Sequence, residues 1–194
     1  SNIVSHAAFL QSGARCITSD GHLNLWDVET QQTLQIYRRY RDNVLETFCD
    51  IELGQTQCRS SGALGSLGDN QVLACTDSHI FSIDTRVSGS NLQVVADWKL
   101  NDSRFDSNRT SIANEPSPKG NAHIRCLAAG EFYVLAGTSA GSVHVIDRRT
   151  GLSVSSDQAD GPEHSMVKII SQGSNRFISV SDKGAASIWD CKSG

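Results

Sequence analysis

Val134-Leu135-Ala136-Gly137-Thr138-Ser139-Ala140-Gly141-Ser142-Val143-His144-Val145-Ile146-Asp147 reads as a strand, a tight turn and a second strand. Apolar residues alternate on both sides of Ala140-Gly141, the period of a pleated chain with a hairpin between its halves. The pattern recurs. Cys16-Ile17-Thr18-Ser19-Asp20-Gly21 leads into His22-Leu23-Asn24-Leu25-Trp26-Asp27, and Leu73-Ala74-Cys75-Thr76-Asp77-Ser78 into His79-Ile80-Phe81-Ser82-Ile83-Asp84. Ile178-Ser179-Val180-Ser181-Asp182-Lys183-Gly184 leads into Ala185-Ala186-Ser187-Ile188-Trp189-Asp190. Each unit ends in a large apolar residue followed by Asp, and these Asp residues lie 57, 63 and 43 positions apart. A second turn follows, as in Val28-Glu29-Thr30-Gln31 and Arg148-Arg149-Thr150-Gly151, and then a further strand at 33–37 and 152–156. A period of this size, built from strands and turns, is the mark of a repeat architecture and favours binding over catalysis.

These units resemble WD40 repeats, which implies an all-β fold: a β-propeller of WD40-type four-stranded blades. About four blades of a larger, incomplete ring are expected. The blades are a partial first one at 1–43, a second at 44–98 with a loop inserted at 55–70, a third at 122–160 and a truncated fourth at 161–194, with a polar surface loop at 99–121. The structural repeat positions are Asp20, Trp26, Asp27, Asp77, Ile83, Asp84, Ile146, Asp147, Trp189 and Asp190. In the family a turn Asp, a His, a Ser or Thr and the Trp often form one bonded group. Asp20 and Trp26 fit such a group, whereas the later turns hold Ala140 and Lys183. An open array leaves an apolar sheet face at each end, so the chain alone is expected to aggregate or self-associate.

The run from Val134 to Leu152, together with Ser19-Asp20-Gly21, Trp26-Asp27 and Gln31 to Leu34, is similar to blades of the BEACH-plus-WD40 family. That resemblance implies a non-catalytic scaffold in endosome-lysosome traffic and autophagy. It further implies regulation of class III phosphatidylinositol 3-kinase, with that complex and endosomal or autophagy factors as partners. The location implied is cytoplasmic, peripheral on endosome or lysosome membranes.

Composition is consistent with this. The net charge of −4 gives no general nucleic-acid footprint, and no run approaches the ~20 apolar residues of a membrane span. The six cysteines show no paired Cys-x-x-Cys spacing and mostly lie in or beside strands. They read as small buried hydrophobes of a reducing compartment, with no metal or cofactor implied. The tracts 55–70 and 101–121 are polar and read as surface loops; Ser117-Pro118 is a candidate phosphorylation dipeptide within the second.

Two motifs invite chemistry. Gly137-Thr138-Ser139-Ala140-Gly141 matches the G-x-S-x-G nucleophile elbow, with Asp147 and His164 following in hydrolase order. That elbow needs a helix after the Ser, and here a strand pattern follows. Arg38, Arg39 and Arg41 interleave with Tyr37 and Tyr40. Adjacent guanidinium groups suit a phosphorylated inositol headgroup, so these arginines are candidates for contact with lipid or an acidic partner. His22, His79 and the loop after each landmark Asp are candidate surface positions.

Overall fold

The computed structural model describes residues 4, 6–10, 14–41, 44–53, 71–86, 93–100, 122–158, 164–172 and 175–191. The inserted loop 55–70, the tract 101–121 with Ser117, and Cys58 lie outside the described residues. The alternating stretches form β1 (His6–Phe9), β2 (Arg15–Ser19), β3 (Leu23–Asp27) and β4 (Gln32–Tyr37), joined in that order as one antiparallel sheet. The second sheet is β7 (Asp50–Leu53), β8 (Gln71–Cys75), β9 (His79–Asp84) and β10 (Gln93–Lys99). The third is β11 (Ile124–Ala129), β12 (Tyr133–Thr138), β13 (Ser142–Asp147) and β14 (Ser153–Gln158). The fourth has three described strands, β15 (Met166–Ser171), β16 (Arg176–Ser181) and β17 (Ala186–Asp190). A ribbon of β5 (Arg39–Arg41) and β6 (Val44–Glu46) lies between the first two sheets in the chain, and nothing in the repeat pattern announces it.

The sheets stack face to face, which is how a two-sided apolar strand hides both sets of side chains. Ile17 and Leu25 of the first sheet meet Val72, Ala74, Phe81 and Ile83 of the second. Leu73, Cys75 and Ile80 of the second meet Val134, Ala136 and Ile146 of the third. Leu135, Val143 and Val145 of the third meet Met166, Ile169 and Phe177 of the fourth, with Trp189 at the margin. Every sheet therefore has a preceding face, which carries the landmark residue before Asp, and a following face made by the residues between. The starting strands β1, β7, β11 and β15 succeed one another along the inside of the stack.

Gly137 explains why the third unit differs in its small residues. A Cβ there would lie 2.7 Å from Met166 Cβ and 2.7 Å from Cys126 Sγ, so the fourth sheet approaches the third across a bare backbone.

Candidate interaction face

In an up-and-down sheet the β2–β3 turn and the link leaving the fourth strand share one edge, while the landmark Asp sits at the opposite edge. The first, or turn, edge is laced together. In the third sheet Ser139 N donates to His123 O (2.8 Å) and His123 N donates back to Ser139 Oγ (2.9 Å). Ile124 N of that sheet donates to Asp77 O of the second sheet's turn (2.8 Å), and His123 Nδ1 lies 3.6 Å from Asp77 Oδ2. Asp182 N donates to Ser165 O (2.9 Å), and Gln158 Nε2 to Ala140 O (2.7 Å). In the first sheet Asp20 Oδ1 accepts from His22 N (3.2 Å) and Asn24 Nδ2 (3.0 Å), while Ser19 Oγ donates to Phe48 O in the link (3.1 Å).

The expected bonded group of Asp20 and Trp26 is instead two separate pairs, Asp20 with Asn24 and Trp26 Nε1 with Thr18 Oγ1 (2.9 Å). Trp189 Nε1 makes the matching bond to Ser179 Oγ (2.8 Å). Each hydroxyl sits two residues along from the Trp's cross-strand partner, Cys16 or Phe177. Where the landmark is Ile83 or Ile146, the same position holds Ala74 or Ala136. An indole N–H thus goes with a hydroxyl, and an isoleucine goes with alanine.

The landmark Asp residues fold the opposite edge. Asp27 Oδ1 accepts from Thr30 N (2.8 Å), Asp84 Oδ1 from Arg86 N (2.9 Å) and Asp147 Oδ1 from Arg149 N (2.7 Å), each a turn closed by a side chain. The Thr30 amide holds Asp27 below the ordinary carboxylate range, and the Arg86 guanidinium does the same for Asp84. The next residue latches inward: Val28 N, Arg148 N and Cys191 N donate to Ala14 O, Phe132 O and Asn175 O. Asp190 differs, its carboxylate lying 3.5 Å from Arg176 Nε.

The arginines part company. Arg39 Nε donates to Glu46 Oε2 (2.7 Å) and Nη1 to Asp97 Oδ2 (2.9 Å), and its guanidinium lies 4.4 Å from the Phe81 ring centroid. His79 Nδ1 meets the other oxygen of Asp97 (2.8 Å) and its ring stacks on Phe81. Burial alone would lower the pKa of Arg39, but the bonds and charges of Asp97 and Glu46 outweigh it and hold the guanidinium above its ordinary value. This network pins the β5–β6 ribbon to the preceding face of the second sheet. Arg38, Tyr40 and Arg41 remain exposed on it, with Tyr40 at 61% and Val44 at 68%.

Asp50 is the residue the sequence reading overlooks. The residue is 1% exposed, and its carboxylate accepts from Ile51 N (2.9 Å) and from Leu127 N of the third sheet (2.8 Å) and lies 3.5 Å from His6 Nε2 of the first. One side chain therefore ties three sheets at their starting strands. An Asp opening a strand where the other sheets have His6, Ile124 or Met166 was the only signal for it.

The elbow residues do not converge. Ser139 and Asp147 stand at opposite edges of the third sheet, separated by the length of β13, about 16 Å for five strand steps. Ser139 is bonded to the His123 backbone. The described cysteines are free thiols; burial pushes Cys126 and Cys49 up to about 12 and Cys75 well above its ordinary value, which disfavours the thiolate at those three positions. No group of His, Cys, Asp and Glu able to hold a metal occurs among the described residues, and no described helix is long and apolar enough to cross a membrane.

No family model matches the chain, and no curated protein matches it. Among solved structures it is similar to the β-propeller domain of Cps50 (Swd1) from Myceliophteria thermophila, with a TM-score of 0.62 at 14% identity over 98% of this chain and 54% of that one. The chain thus spans about half the length of that propeller. It is also similar to the computationally designed Ika4 protein, with a TM-score of 0.61 at 15% identity over 99% of this chain and 93% of that one. The fold is an all-β array of β-propeller blades: four antiparallel sheets stacked in series, with no core cluster among the described residues joining the fourth to the first.

Proposed function

We propose that this chain is a non-catalytic protein-interaction platform in endosome-lysosome membrane traffic and autophagy, taking part in the regulation of class III phosphatidylinositol 3-kinase. The observation that carries the platform reading is the laced turn edge with its pinned ribbon. Tyr40, Arg41 and Arg38 stand exposed on a backbone that the Arg39–Asp97–Glu46 network fixes in place. An exposed aromatic flanked by arginines, on a rigid scaffold, has the composition of a protein contact site. The trafficking reading is supported by the wording of the first and third units, which resembles blades of the BEACH-plus-WD40 family and, within it, the late blades of WD repeat-containing protein 81. Its site of action is then cytoplasmic, peripheral on endosomal or lysosomal membranes. Purified class III phosphatidylinositol 3-kinase complex should be retained on the immobilised chain and lost with Tyr40→Ala/Arg41→Ala. Equal retention by the variant, or none by the wild type, contradicts the reading.

A second reading rests on Arg38 and Arg41, whose guanidinium groups are exposed while that of Arg39 is engaged. They suit a phosphoinositide headgroup at the membrane surface. Flotation with liposomes containing phosphatidylinositol 3-phosphate then falls with Arg38→Ala/Arg41→Ala; recovery independent of the lipid rules it out.

A further inference from the structure

The third sheet departs from its siblings along the edge that carries the landmark Asp. The position whose carbonyl receives the amide after that Asp holds Ala14 in the first sheet and Asn175 in the fourth, but Phe132 in the third. The residue after the Asp is Val28, Thr85 or Cys191 in the other sheets and Arg148 here. Opposite the Asp stand Gln32 in the first sheet and Gln93 in the second, whereas Leu152 stands opposite Asp147. Phe132 is 49% and Leu152 62% exposed. Ala14, Gln32 and Gln93 are exposed although a following sheet stands behind each, so these positions face solvent by their place on the edge. The sibling turns close with small or polar residues, and closing the turn therefore does not account for Phe132 and Leu152.

The arginines of this edge are also set differently from the one at the matching edge of the second sheet. There Arg86 turns its guanidinium back onto the landmark Asp84. Among the described residues Asp147 takes only backbone amides, those of Arg149 (2.7 Å) and Thr150 (3.2 Å), and the Arg149 side chain stays exposed. Arg148 Nη1 donates to the carbonyls of Gly130 and Glu131, while Nη2 is buried without a partner. Burial lowers the Arg148 pKa to about 10, and no carboxylate offsets it. A cation taken from water without a counter-charge is destabilising, and a carboxylate brought against the edge from outside relieves that. The backbone beneath is braced. Gly151 N donates to Asp147 O (2.7 Å), and Gly151, at φ +71°, packs on the Trp98 ring of the second sheet with no room for a Cβ. A site on this turn is formed before any ligand arrives.

We propose that Phe132, Arg148, Arg149 and Leu152 form a second docking site, for a peptide segment of another protein in which acidic residues adjoin an apolar one. The apolar side chain covers Phe132 and Leu152, and the carboxylates pair with Arg149 and give Arg148 its counter-charge. Charge complementarity selects this occupant over an anionic membrane. Glu131 and Asp147 stand in the same turns and the chain carries −4 overall, so the edge lacks the broad basic field that a lipid surface requires. The site lies at the opposite edge from the ribbon, and the inference does not depend on the proposed trafficking role.

Selection of a random phage-displayed peptide library on the immobilised full chain tests it, after depletion on the Phe132→Ser/Arg149→Glu variant. The peptides that remain should carry Asp or Glu beside Leu, Ile or Phe. A synthetic copy of one should bind at least about tenfold more weakly to Phe132→Ser and, separately, to Arg149→Glu. Its affinity for Tyr40→Ala/Arg41→Ala should equal that for the wild type, which separates this site from the ribbon. Both single variants should keep the wild-type melt, because Phe132 and Arg149 are exposed. Selection on Arg149→Glu alone should turn towards peptides with Lys or Arg in place of the acids. No enrichment over a blank surface overturns the proposal, as do enriched peptides without carboxylates or an affinity that both single variants retain. Phe132-dependent binding of phosphatidylserine vesicles without peptide enrichment also overturns it and makes the edge a membrane contact.

Discussion

Trp26 and Trp189 each hide an indole N–H against a hydroxyl on the neighbouring strand, and that pairing sets what the landmark residue can be. Ser179→Ala leaves the Trp189 N–H without its partner and should cost about 1 kcal/mol. In a double-mutant cycle with Trp189→Ile the combined loss should fall short of the sum, as the natural Ile–Ala pairs foreshadow; additive losses in chemical denaturation would contradict the coupling. Gly137→Ala forces a methyl group against Met166 Cβ and Cys126 Sγ, and a loss of about 1–3 kcal/mol is expected; an unchanged denaturation midpoint would contradict that approach. Asp84 bears on acid stability. Its carboxyl is lowered in the folded chain, so its contribution is complete above the ordinary carboxylate value of ~3.9 and is lost as pH falls through the folded value. Asp84→Asn should therefore lower Tm at pH 7 and flatten its decline below about pH 4. A parallel decline in both proteins would show that Asp84 plays no part.

At the scale of elements, hairpins and landmark turns were legible because both are local: alternation, a Gly or Asp at the bend, and an Asp two or three residues before the amide it accepts from. The ribbon and its anchor were not. Arg39 finds Asp97 across 58 positions and Asp50 finds Leu127 N across 77, and no periodic pattern encodes a partner at that distance. The arginine cluster accordingly read as one site, whereas the fold spends Arg39 internally and leaves Arg38 and Arg41 outside. Arg39→Leu should release the ribbon. Amide exchange is then expected to quicken at Tyr40 and Glu46 while β8 and β9 stay protected; unchanged exchange at the ribbon would mean that the network does not hold it.

For the whole molecule, the stacking explains why similar units differ in detail. A unit's Ile or Trp looks towards the preceding sheet and its intervening residues towards the following one, so solvent meets the edges, the outer strands such as β14 and the uncovered faces of the first and fourth sheets. The opposite edge spends its Asp side chains on closing turns, while the turn edge adds a ribbon whose outer residues bond to nothing the fold requires. The proposed partner contact therefore falls on the turn edge. The most direct test is binding of the purified kinase complex to three immobilised proteins, the wild type, Tyr40→Ala/Arg41→Ala on the ribbon, and Glu29→Ala/Arg149→Ala on the opposite edge. Loss of at least tenfold in affinity only for the ribbon variant is the expected result. Equal binding by all three, or loss confined to the opposite-edge variant, would contradict it.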